Sequence, residues 1–109
     1  MKIDVIEVMG VKTIEVTGDI DMYSSHKLRD EIMCLIDKKV PTLHVDFKEV
    51  SYMDSSGIAT FVEALKTMKT YGGRLKLICI PESIMEIFRF SRLDRVFEIY
   101  GDINDTINI

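Results

Sequence analysis

The chain has 109 residues, 47% hydrophobic and 29% charged, the balance of an ordinary globular protein rather than a disordered one. Its 14 basic and 18 acidic side chains leave a formal net charge of −4, and the basic residues are scattered, which argues against direct contact with nucleic acid or an anionic membrane. The length suits one domain over residues 1–109, no apolar run approaches the ~20 residues of a membrane span, and Asp4 and Glu7 interrupt any signal-like N-terminal core, so a cytoplasmic location is expected.

Residues 2–9 and 11–17 are β-branched runs of strand length, joined at Met9-Gly10, where glycine supplies the positive φ of a tight connection. A hairpin is the expected start. From Leu28 the apolar positions change to helical spacing through Ile32, Leu35 and Ile36. Ser24 or Ser25 can cap this helix, and the spacing predicts it over 25–38, closed by Pro41. Cys34 and Cys79 lack any C-x-x-C or histidine-pair spacing and read as small buried hydrophobes in a reducing compartment.

Residues 42–47 alternate, with Leu43, Val45 and Phe47 on one side and Thr42, His44 and Asp46 on the other. His44 is therefore expected at the surface or loosely packed. The strand-like run from Val45 ends in Asp54-Ser55-Ser56-Gly57 and turns into a second helix. Ile58, Phe61, Val62, Leu65 and Met68 form its apolar stripe, Thr60 lies mostly away from it, and Gly72-Gly73 supplies a left-handed stop. Residues 74–80 read as a continuously apolar strand, central and covered on both faces. Pro81 opens a short helix carrying Ile84, Met85, Ile87 and Phe88. Residues 96–100 make a last strand, and the tail GDINDTINI adds a helical turn or frays.

A hairpin followed by alternating helices and strands implies an α/β domain: a mixed, mostly parallel β-sheet with helices packed on it. In such sheets, functional loops lie beyond the carboxyl ends of the strands. Two qualify, residues 18–24 and 52–57. At the second, Ser55 or Ser56 can cap the helix, and the helix N-terminus would tolerate a phosphate. Acyl-transfer chemistry fits poorly: Asp54 and Ile58 stand where a G-x-S-x-G elbow needs glycines, and neither His26 nor His44 is placed to activate a serine. Gly72-Gly73 follows a helix instead of opening one, so no phosphate-cradling loop is present, and no cluster has metal-ligand spacing. The residues thus point to no catalytic group, cofactor or metal.

The run VDFKEVSYMDSSGIATFVEALKTMKTYGG and its continuation, with VTGDID upstream, closely resembles the bacterial anti-sigma-factor antagonists of the STAS-domain family over roughly positions 5–100. The resemblance implies a single STAS-like domain that is phosphorylated on Ser56, the second serine of D-S-S-G, by an anti-sigma factor that is itself a serine kinase. It also implies that Asp21 lies beside Ser56 and that Asp21, Asp54, Ser55, Ser56 and Gly57 form the partner-binding face. A metal-dependent serine phosphatase would reset the switch, ATP and magnesium belong to the kinase, and the antagonist is expected to be a monomer or weak dimer. The alternative within the family is a scaffold subunit of a larger signalling assembly. Two features depart from the family: Arg92 stands where a glycine often precedes the leucine, and GDINDTINI replaces an alanine-bearing final helix.

Overall fold

The computed structural model describes residues 1–102. Two strands, β1 (Lys2–Val8) and β2 (Val11–Ile20), form the hairpin. Met9 and Gly10 turn with φ of 52° and 78°, the paired left-handed residues of a turn whose twist matches the flanking strands. Then come α1 (Ser25–Asp37), β3 (Thr42–Met53), α2 (Ser55–Lys69), β4 (Arg74–Ile78), α3 (Glu82–Phe90) and β5 (Glu98–Tyr100). The strands lie in the order β1-β2-β3-β4-β5, the first pair antiparallel and the rest parallel. The expected mixed α/β architecture is the observed one.

Strand order explains the layering. Each parallel connection steps to the same side, and a right-handed crossover stepping one way always leaves its helix on the same face. Phe47 of β3 accordingly meets Phe61 of α2 at 5.1 Å and Phe88 of α3 at 6.3 Å between ring centroids. Phe88 in turn meets Phe97 edge-on at 5.6 Å. Together with Ile14, Leu43, Val45, Leu75 and Leu77, all fully buried, these rings make the core beneath the helices.

β2 outruns the β-branched run, and β3 the alternation, that marks it in sequence, because the two strands pair with each other. Their parallel register continues to Ile20 opposite Met53, across irregularities between Glu15 and Thr17 and between Gly18 and Asp19. Gly18 takes φ of 100° there, a conformation that suits glycine. The loop after β2 therefore starts only at Asp21. The central strand is β3, and β4 lies beside it, buried from Leu75 to Ile78. Gly72 stops α2 in the left-handed region, and the Gly73 N–H donates to the Met68 carbonyl at 2.8 Å. Arg92, the departure noted above, has φ of 61°, the geometry that makes glycine the easier choice. The tail beyond Asp102 lies outside the described residues.

Four expectations need correction. His44 is buried, at 2% exposure, because the central strand places it between Thr13 of β2 and Lys76 of β4 in one register row. Thr60 is also buried, its hydroxyl donating to the Ser56 carbonyl at 2.9 Å. Cys34 is exposed and Cys79 half-buried, and both are free thiols. Cys34 falls off the Leu28, Ile32, Leu35 and Ile36 stripe of α1, and Cys79 follows the last residue of β4 with φ of 56°. Finally, Ser24 occupies the α1 cap position but its hydroxyl makes no cap bond. It donates instead to the Asp19 carbonyl at 2.9 Å and accepts from the Asp21 N–H at 3.0 Å.

Burial first, then repulsion from Lys76, holds the His44 imidazole below its ordinary value of 6.5, and its Nδ1 is a buried atom with no hydrogen-bond partner among the described residues. The folded state thus keeps His44 neutral while the unfolded chain takes up a proton below 6.5, so stability should fall as pH drops from there toward the folded value. Urea denaturation at stepped pH should show this slope in the wild type and a shallower one in His44→Gln; equal slopes would remove His44 as its source.

Candidate functional site

Because β2 and β3 run parallel, their carboxyl ends emerge side by side, and two short loops share that end of the sheet. The backbone ties them together: the Asp54 N–H donates to the Ile20 carbonyl at 3.2 Å. Asp21 follows Ile20 directly. Its Oδ1 accepts from the N–H groups of Tyr23 at 2.9 Å and Ser24 at 3.0 Å, and lies 3.1 Å from the Ser24 hydroxyl oxygen. The Asp21 carboxylate is therefore committed to shaping its own loop, which leaves Met22 and Tyr23 projecting at 68% and 80% exposure.

The second loop is a single residue, Asp54, extended at φ −111° and ψ −170° before α2 begins. It resolves the capping question left open by the sequence: neither serine caps the helix, and the aspartate does. Its Oδ1 accepts from the Ser56 N–H at 2.9 Å and from the Ser56 hydroxyl at 2.5 Å. The Ser56 hydroxyl foremost, then the backbone N–H groups of Ser56, Gly57 and Met22, hold the carboxyl below its ordinary range against the opposing effect of desolvation. Asp54 is thus ionised at neutral pH. An aspartate just before the apolar stripe is itself a cap signal, and that signal was available in the sequence. The contribution of Met22 was not, since it depends on strand pairing.

The four residues of the turn differ in access. Ser55 is exposed, Asp54 and Ser56 are half-buried and Gly57 is buried. Ser56 therefore presents an oriented hydroxyl at the mouth of a 15-residue helix, where unpaired N–H groups and the helix dipole favour negative charge. Asp21 and Asp54 are brought together through the Ile20 and Met53 pairing. Nearby, the Arg29 guanidinium clamps Glu63 through bonds of 2.7 and 2.8 Å, fixing α1 against α2. No group of three His, Cys, Asp or Glu among the described residues is arranged to hold a metal, and none of the described helices is long and apolar enough to cross a membrane.

Gly57 is required by space instead of by torsion. A Cβ there would sit 2.5 Å from Met53 Cγ and 2.9 Å from Ile20 Cγ2, the two residues that end the paired strands. Neither atom is the free end of a flexible chain, so the turn itself has to move. Gly57→Ala should therefore lower unfolding free energy by about 1–2 kcal/mol, overpacking outweighing alanine's better helix propensity; a variant as stable as the wild type in urea would refute the close fit.

Comparisons with known proteins agree with the fold. The STAS domain family model matches residues 2–106. An anti-sigma-B factor antagonist of Bacillus subtilis is 35% identical over 86 residues, 79% of this chain and 78% of that protein. The anti-sigma-B factor antagonist of Listeria monocytogenes is 33% identical over 86 residues, 79% of this chain and 75% of its own. In structure, an anti-sigma factor antagonist from Mycobacterium paratuberculosis superposes with a TM-score of 0.88 at 20% identity, covering 98% of this chain and 91% of the other.

Proposed function

The chain belongs to the STAS domain family, and on that premise we propose that it is an anti-sigma-factor antagonist whose binding is switched by phosphorylation of Ser56. Unmodified, it docks on an anti-sigma factor that is a serine kinase and so frees the sigma factor. The Bacillus and Listeria relatives named as antagonists support this role. The observation that carries the switch is the Ser56 hydroxyl, half-buried, aimed by Asp54 and set at the start of α2.

Phosphotransfer would break the bond between the γ-phosphorus of ATP and its bridging oxygen, form one from Ser56 Oγ to phosphorus, and pass the hydroxyl proton to the kinase. The Asp54 carboxylate then loses the hydroxyl donor but keeps the Ser56 N–H, so the cap persists. The new group carries about −1.5 to −2 charges. It is repelled by Asp54 and turns outward, onto the face that meets the partner. A metal-dependent serine phosphatase would restore the hydroxyl by hydrolysis. Residues 1–109 act in this scheme as one cytoplasmic domain that binds and is modified but catalyses nothing, with Asp21, Asp54, Ser55, Ser56 and Gly57 at the contact.

Incubation with ATP and the anti-sigma-factor kinases of the genome that encodes this chain, followed by site mapping, should place phosphate on Ser56; modification of the exposed Ser55 alone would overturn the assignment. In titrations with the same kinase, Ser56→Ala should bind as the wild type does and Ser56→Asp at least about tenfold more weakly, equivalent to about 1.4 kcal/mol. Equal affinity of the two variants would rule out a charge mechanism.

A further inference from the structure

Two serines stand side by side at the start of α2, and access alone does not favour the one named above as the acceptor. Ser55 is exposed and its hydroxyl has no hydrogen bond among the described residues, whereas Ser56 is half-buried. A kinase that took whichever hydroxyl it met first would modify Ser55. The choice of Ser56 therefore needs a physical reason.

Asp54 precedes both serines, yet only one of them bonds to it. Side chains of a helix lean toward its N-terminus, and adjacent positions are turned from each other by about 100°. Ser56 leans back over the cap, so its hydroxyl meets Asp54 Oδ1 at 2.5 Å and its N–H meets the same oxygen at 2.9 Å. The Ser56 carbonyl accepts from the buried Thr60 hydroxyl at 2.9 Å. Every polar group of Ser56 is thereby held, and Asp54 is itself braced by the N–H groups of Gly57 and Met22.

The orientation matters because a hydroxyl oxygen attacks through a lone pair. An unrestrained serine samples three staggered wells about χ1 and three about its C–O bond, so about one arrangement in nine aims a given lone pair at an incoming phosphorus. In Ser56 the hydroxyl proton points at Asp54, which leaves both lone pairs turned away from the carboxylate. Bonding to the acceptor oxygen lags in the loose transition state of phosphoryl transfer. The hydrogen bond to Asp54 can therefore last until the Oγ–phosphorus bond forms, ADP leaves and the proton passes to the kinase.

We propose that Asp54 selects the acceptor: by fixing the Ser56 hydroxyl while Ser55 rotates freely, it directs the phosphoryl group to the less accessible of two adjacent serines. This rests on the Ser56 reading above. The role belongs to the oxygen that accepts the bond, so a neutral amide in its place should make the same choice.

The test uses whichever anti-sigma-factor kinase phosphorylates the wild type at Ser56 and measures phosphate on each serine by mass spectrometry. Both products arise from one complex, so their ratio does not depend on how tightly the kinase binds. Asp54→Gly removes the acceptor and leaves a residue that helix caps tolerate. Its kcat at Ser56 should fall about ninefold, and phosphate on Ser55 should rise from a trace to a share comparable with that on Ser56. Asp54→Asn, whose side-chain carbonyl can accept both bonds, should restore the wild-type ratio whatever its affinity for the kinase. In the unmodified wild type, NMR α–β couplings should show one χ1 rotamer at Ser56 and averaging at Ser55, a check that needs no variant. Averaging at Ser56, or Asp54→Gly modified on Ser56 alone at the wild-type kcat, would overturn the selector and leave the switch standing. Asp54→Asn matching Asp54→Gly would assign the effect to charge and overturn the selector likewise. Failure of every anti-sigma-factor kinase to modify wild-type Ser56 would overturn the switch and the selector together.

Discussion

The site depends on a single carboxylate. Asp54 caps α2 through the Ser56 N–H, accepts a 2.5 Å hydrogen bond from the Ser56 hydroxyl, and is further held ionised by the Met22 N–H of the adjoining loop. Serine and aspartate are about equally good caps, so either could have closed this helix. Because the aspartate does so, the two serines are released from that duty. Ser55 faces solvent, and Ser56 holds its hydroxyl in a fixed direction. The D-S-S-G order is thus a division of labour, with anchoring given to the acid and access to the alcohols.

That arrangement requires the loops after β2 and β3 to be neighbours, and the sheet makes them so. One-way strand order puts the helices on one face and the carboxyl ends of β2, β3 and β4 at one end. Ile20 and Met53 finish their strands in register, and both press on the position where Gly57 has no side chain. The Asp54 N–H then reaches back to the Ile20 carbonyl. Core packing, strand register and the D-S-S-G turn are in this way one set of contacts. The same end of the sheet carries Met22, Tyr23 and Tyr52, all more than half exposed.

Much of this was legible in the sequence, and the exceptions share a cause. β-branched runs of strand length marked β1 and β2, period-two alternation marked the start of β3, and the Phe61, Leu65 and Met68 stripe marked α2, because local composition and spacing report which segments face a core. His44 broke the rule since its burial comes from Thr13 and Lys76, neighbours on other strands. Thr60 lies on the core side of α2 and hydrogen-bonds back to the Ser56 carbonyl, so its polar type misreports its position. The cysteines misled in the opposite sense: average burial of the residue type said little about an outward turn of α1. At the site, the junction and its serines were visible, and family likeness singled out Ser56. What could not be read was the commitment of Asp21 to its own loop through Tyr23 and Ser24, which requires knowing how that loop folds back.

The proposed switch also explains how a modified protein could stay folded and yet lose its partner. In the free protein a phosphate on Ser56 sits in water, where screening weakens its repulsion from Asp54 and the N-terminus of α2 offers a compensating partial positive charge. Docking removes that water. Lowering the effective dielectric constant from about 80 to about 20 strengthens the same repulsion about fourfold, while the incoming surface must also strip hydration from a dianion. The penalty therefore appears mainly on association, and the fold of the free chain is spared. For such a device the acidic cap is an advantage: an uncharged residue at position 54 could close the helix as well, but it would add nothing to the rejection of a phosphorylated surface.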